Sequence, residues 1–207
     1  MNKFKYNFFT ILVYFAVSTN LRADKLCIPD KSIIRQQERY VSLLAPYVQE
    51  KINFSFPVKQ CECWVSSLYG KRGTGFHAGV DFAALKGTDV VAAADGYIMK
   101  AEKSNAKNGY GNMILIEHEH KKHTYQTRYA HLDTIEKKIY NQVQSGKKVA
   151  VKRNEKIGTV GATGHVIAKH STSDPSHLHF EIYKDGKRID PLLYLFASQT
   201  LRTKNRS

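Results

Sequence analysis

From residue 63 onward the apolar residues come in short runs broken by turn signals, a spacing that suits strands and leaves little room for long helices. The runs cover residues 90–94, 97–100, 112–117, 124–130 and 177–183. Asp95-Gly96 and Asp185-Gly186 carry the dipeptide favoured in two-residue hairpins, and Lys121-Lys122 marks a charged turn between two further runs. The expected fold is therefore all-β and mainly antiparallel. Residues two apart in a strand face the same side, so His177 and His179 project together, away from Leu178 and Phe180.

The 207 residues suffice for one main domain with a real core and short flanking segments. Residues 1–23 read as an export signal: Lys3 and Lys5 precede an apolar run over 8–17 that is too short to span a bilayer well, and Ala23 offers a cleavage point. Retention of that segment as a membrane anchor is the second reading. Residues 24–62 form an N-terminal segment in which Ile33, Ile34, Tyr40, Val41, Leu44, Tyr47 and Val48 recur at roughly helical spacing, interrupted by Pro46. One or two short helices, or a partly ordered linker, both fit. The domain is expected over 63–197, followed by a basic tail over 198–207.

Cys27, Cys61 and Cys63 all lie beyond the signal. In an oxidising compartment the favoured bridge joins Cys27 to one of the other two, since a Cys61–Cys63 ring would be very tight. The formal charge of +14 falls to +11 once Lys3, Lys5 and Arg22 are removed with the signal. Acidic partners are implied. The lysines are scattered through turns and the tail, which argues against specific nucleic-acid binding and for anionic wall or membrane polymers.

Two motifs carry the chemistry: His77-Ala78-Gly79-Val80-Asp81 and His177-Leu178-His179. A catalytic zinc site takes three protein ligands and keeps a fourth position open, so a His, an Asp and another His are enough. His131 and His177 then remain for proton transfer. The chain has no His-Glu-x-x-His motif, so histidines would take the role a carboxylate has there. His118, His120, His123, His165 and His170 read as surface or structural residues, His118-Glu119-His120 being a decoy beside Lys121 and Lys122.

In this order the motifs resemble the LytM/lysostaphin-type zinc metallopeptidases, which cut peptide bridges in bacterial peptidoglycan. The resemblance covers about residues 64–195. It includes Trp64-Val65-Ser66-Ser67-Leu68-Tyr69-Gly70, Val91-Ala92-Ala93-Ala94-Asp95-Gly96, Gly109-Tyr110-Gly111-Asn112, Tyr129-Ala130-His131-Leu132 and Asp190-Pro191, beside the two histidine motifs. It implies a compact lysostaphin-like fold and one Zn2+ per chain, held by His77, Asp81 and His179, with His131 and His177 as catalytic residues. It also implies an exported peptidoglycan endopeptidase of the periplasm or cell wall. The alternative is a non-catalytic wall-binding regulator that activates other hydrolases.

Gly73, Gly75 and Gly79 read as scaffold of the site, with Gly79 letting the backbone pass close to metal or substrate. Tyr110 and Tyr129 read equally as core or groove aromatics. The stretch 161–176 is longer than the corresponding family loop and leads into His177. The region 139–156 is enlarged and basic, fitting either a polymer contact or a solvated loop.

Overall fold

The computed structural model describes residues 52–104, 106–107, 109–167 and 174–204. The signal, the helices expected near 33–48, and Cys27 with its expected disulfide lie outside these residues. The fold is mostly antiparallel β. Twelve strands occur in chain order: β1 (Cys63–Ser67), β2 (Gly70–Arg72), β3 (Gly75–His77), β4 (Val80–Ala84), β5 (Asp89–Val91), β6 (Gly96–Glu102), β7 (Asn112–His120), β8 (His123–Ile135), β9 (Val149–Val151), β10 (Lys156–Val160), β11 (His177–Lys184) and β12 (Lys187–Ile189). Two helices, α1 (Lys137–Gln144) and α2 (Pro191–Lys204), complete the described elements.

The main sheet runs β1-β4-β11-β8-β7-β6-β9, while β2 and β3 form a separate two-stranded hairpin. Strand β8 is the spine: β7 pairs along one side, and β11 then β10 share the other. Period-two alternation explains the core. Val80, Phe82 and Ala84 of β4 and Leu178, Phe180 and Ile182 of β11 are buried, stacking with Tyr125, Tyr129 and Leu132 of β8. The opposite face of β4 and β11 carries Asp81, His177, His179 and Glu181.

The turn at Lys121-Lys122 and the hairpin at Asp185-Gly186 form as expected, each joining two paired strands. In each, the flanking residues pair directly (His120 with His123, Lys184 with Lys187), and Asp185 and Gly186 take φ of 49° and 76°. The hairpin expected at Asp95-Gly96 does not form. Strand β5 stops at Val91 and pairs with β10, while β6 pairs with β7 and β9. Ala92–94 instead pack fully into the core, where Ser55 N–H meets the Ala93 carbonyl at 2.7 Å. The alanines are small enough to let residues 52–58 lie across them, and burial there outweighs hairpin propensity.

The core thus reaches into the segment expected over 24–62: Ile52, Phe54 and Val58 are buried. At the other end, helix α2 runs past residue 198, where a basic tail was expected to begin. Ser198 ties the two ends together. Its Oγ accepts from Phe54 N–H at 3.0 Å and lies 2.8 Å from the Ile52 and Tyr194 carbonyls. The basic region 139–156 is neither a loop nor uniformly solvated: it holds α1 and β9, with Ile139, Val149 and Val151 buried and the lysines outward.

His118 is a structural histidine of this core. It is buried, donates from Nδ1 to the Asp95 carbonyl at 2.8 Å, and faces Thr127 Oγ1 with Nε2 at 2.8 Å. Burial lowers its pKa below 6.5, outweighing the opposing bond to Asp95. The unfolded chain therefore takes up a proton more readily, and the contribution of neutral His118 is complete above pH 6.5 and is lost as pH falls through the lower folded value. Melting curves between pH 7.5 and 4.5 should show stability rising with pH over this window, with a shallower slope in His118→Gln. An unaltered slope would contradict the assignment.

Candidate metal centre

The β4–β11 register sets Asp81 directly opposite His179, and β11 sets His179 opposite Ala130 on β8, one residue before His131. Opposed residues on one face lie close enough for their side chains to meet. His77 comes from the end of β3, with two residues between it and the start of β4. Ala78 and Gly79 make that short connection. A Cβ on Gly79 would sit 2.3 Å from the Phe180 carbonyl oxygen of β11, so glycine is needed for backbone-to-backbone approach. Gly79→Ala should push β4 from β11 and destabilise the fold by about 1–3 kcal/mol. Denaturant titration would check it, and an unchanged midpoint would refute the close-packing role.

All five histidine and aspartate residues singled out in the sequence meet at this place. Donor atoms of His77, Asp81 and His179 lie within 4.8 Å of one another. His77 Nε2 is 3.1 Å from both Asp81 Oδ1 and His179 Nδ1, and His179 Nδ1 is 2.8 Å from Asp81 Oδ1. Their outer partners assign the protons. The Leu68 carbonyl, 2.8 Å from His77 Nδ1, can only accept, so that nitrogen donates and Nε2 keeps its lone pair. The Glu181 carboxylate, 3.1 Å from His179 Nε2, likewise places the His179 proton there and the lone pair on Nδ1.

Three electron-pair donors consequently face one another with no hydrogen between them, an arrangement that a cation resolves. Two imidazole nitrogens and one carboxylate suit zinc, and a carboxylate behind a ligating histidine is the usual outer support. The electrostatics agree. Burial disfavours the Asp81 charge, yet with a proton standing where a cation would, the neighbouring His179 and His77 outweigh it and hold the carboxylate far below its ordinary range. Burial also disfavours a charged His179, but Asp81 and Glu181 prevail and raise its pKa. A proton there answers the same negative charge that a metal would.

His131 and His177 stand beside this trio with ring centroids 4.9 Å apart, and His177 Nε2 is 3.9 Å from Asp81 Oδ1. Both anchor Nδ1 on a backbone carbonyl, His131 on Thr163 at 2.7 Å and His177 on Pro175 at 2.8 Å, which leaves the lone pair on Nε2. His131 has a left-handed backbone, φ 61°, held by its N–H bond to the Tyr110 carbonyl at 2.9 Å. Burial drives its pKa down to about 4, against the Thr163 bond and with help from the neighbouring histidines, so the ring is neutral at pH 7.

Glu181 had no assigned role in the sequence reading. It is fully buried and also meets Tyr110 at 2.7 Å, Arg128 at 2.8 Å and the Tyr183 hydroxyl. Burial would raise its pKa, but contacts with His179, the tyrosines and Arg128 bring it to about 2. The strand period was the available signal, because residues 177, 179, 181 and 183 share one face. Tyr110 therefore belongs to the site, whereas Tyr129 is core, its hydroxyl accepting from Ala93 N–H at 2.8 Å. Among the remaining histidines, His123 pairs with Asp185 at 2.7 Å, and His170 lies outside the described residues.

Comparison with known proteins agrees with this geometry. Over 121 residues the chain is 37% identical to the murein hydrolase activator NlpD of Escherichia coli, covering 58% of this chain and 26% of that protein. Over 116 residues it is 36% identical to the DD-carboxypeptidase/endopeptidase Mpg of Neisseria meningitidis, covering 56% and 22%. A zinc-containing peptidase of Vibrio cholerae superposes with a TM-score of 0.52 at 31% identity, covering 67% of this chain and 39% of that one. The chain thus spans about a quarter of the length of these curated relatives. Residues 75–191, more than half the chain and including His77, Asp81, His131, His177, His179 and Glu181, match peptidase family M23, and the chain belongs to that family.

Proposed function

We propose that the protein is an exported, zinc-dependent endopeptidase that hydrolyses peptide cross-links of bacterial peptidoglycan. The observation that carries this reading is the complete donor set of His77, Asp81 and His179 with two further imidazoles beside it. When bound, the metal would act as a Lewis acid and lower the pKa of a coordinated water. The chain's own residues supply the rest. Neutral His131, with its lone pair on Nε2, can take a proton from the attacking water and pass it to the leaving amine, and His177, once protonated on Nε2, can steady charge on the carbonyl oxygen. The Thr163 and Pro175 carbonyls hold Nδ1–H of each ring, which leaves each Nε2 free to accept a proton. The net charge, +14 for the full sequence and +11 once Lys3, Lys5 and Arg22 leave with the signal, favours an anionic wall polymer.

A second reading has its own support. Likeness to the E. coli murein hydrolase activator is stronger than likeness to the Neisseria peptidase, so sequence similarity supports a regulator that binds the wall and activates other hydrolases better than it supports a peptidase. The intact site favours hydrolysis. The two separate when purified sacculi are treated with this protein alone, with a second wall hydrolase alone, and with both. The endopeptidase reading predicts released peptides from the first arm. The regulator reading predicts none there, and more from the combined arm than from the second.

A further inference from the structure

Behind the proposed metal ligands lies a positive charge that the proposed reaction does not use. The Glu181 carboxylate has roughly four acceptor positions, and all are taken: His179 at 3.1 Å and Tyr110 at 2.7 Å on Oε1, Arg128 at 2.8 Å and the Tyr183 hydroxyl on Oε2. Arg128 balances its charge. A second guanidinium, Arg188 on β12, reaches the same carboxylate only at 3.9 Å, beyond hydrogen-bond range. No other carboxylate lies within 4.0 Å of Arg188 among the described residues.

Arg188 is nevertheless held in place. Its guanidinium lies 5.5 Å from the centre of the Tyr183 ring and against the Tyr110 hydroxyl, and Tyr69 donates to its backbone carbonyl at 3.4 Å. Tyr110 in turn stands 5.9 Å, ring to ring, from His179. With 48% of its side chain exposed, Arg188 presents an ordered fork of N–H donors to solvent beside the centre. A half-exposed guanidinium whose one carboxylate partner, Glu181, stands 3.9 Å away with its acceptor positions already taken matches a further carboxylate in geometry as well as charge.

We propose that Arg188 is a substrate-binding residue that receives a free carboxylate of the peptide near the bond to be cut, with Tyr110 and Tyr183 setting its guanidinium. This rests on the endopeptidase reading for its substrate but not for its measurement. The carboxylate could be a chain terminus or an acidic side chain. Two pairs of synthetic peptides distinguish these sources: one sequence ending in a free acid or a carboxamide, and one sequence with Glu or Gln at an internal position.

Binding of all four peptides to the zinc-loaded full chain is measured by calorimetry, and cleavage by mass spectrometry. One pair should differ about tenfold in affinity, the scale of a charge-assisted hydrogen bond at a half-exposed site. The discriminating pair identifies the carboxylate. In Arg188→Gln the ratio should fall to near one, and Arg188→Lys should restore part of it, which loss of packing on Tyr183 would not do. Equal binding of both pairs by the wild type, or discrimination that survives Arg188→Gln, would overturn the proposal. Discrimination in binding without cleavage of any peptide would instead sink the endopeptidase reading while supporting the carboxylate site.

Discussion

A chain carrying both Asp81→Ala and His179→Ala is expected to lose its zinc. The wild type should hold about one equivalent, as three protein ligands and an open position imply, and the double variant almost none. The reason lies in the register: Asp81 and His179 are opposed across β4 and β11, so the substitutions remove two of the three donors from one point. A milder change tests the outer support. Glu181→Gln keeps the size and one acceptor but removes the charge behind His179, and should weaken zinc binding by about 10–100-fold in chelator competition. Unchanged zinc content in the double variant would refute the ligand assignment.

The second large effect is on turnover. His131→Ala and His177→Ala should each retain zinc and the fold while peptide hydrolysis falls by about a hundredfold or more, the scale of a lost positioned acid or base. Retention follows from placement: both rings hang from backbone carbonyls outside the donor trio. The acid limb of the pH profile then carries information. An ordinary imidazole would lose its lone pair as pH falls below about 6, but burial holds His131 neutral until about 4. Any decline between pH 7 and 5 therefore belongs to another group. Undiminished cleavage by either variant, assayed on the same sacculi as the wild type, would overturn these roles.

The site was largely legible because β periodicity is local. His-x-His on one strand face, and the tight link from His77 to Asp81, are decided within a few residues. What could not be read was supplied from a distance. The Leu68, Thr163 and Pro175 carbonyls that assign the tautomers are backbone atoms without a sequence signature. Glu181 looked like one more alternating residue until Tyr110 and Arg128, from other strands and loops, closed around it. The same distinction runs through the fold. Asp185-Gly186 formed its hairpin because its flanking strands are neighbours, whereas Asp95-Gly96 did not, because residues 52–58 cover the preceding alanines and β5 finds β10 instead. The sequence suggests that Gly79 lets the backbone pass close to metal or substrate, whereas the atom it approaches is the Phe180 carbonyl oxygen.

If His77, Asp81, His131, His177 and His179 form a hydrolytic metal centre acting on peptidoglycan, new amino termini must appear in purified sacculi. Mass spectrometry should find them after treatment with the wild-type protein, lose them when the protein is first stripped with a chelator, and recover them when zinc is restored. Sacculi that bind the zinc-loaded protein yet yield no new amino termini in any of the three treatments would contradict that assignment.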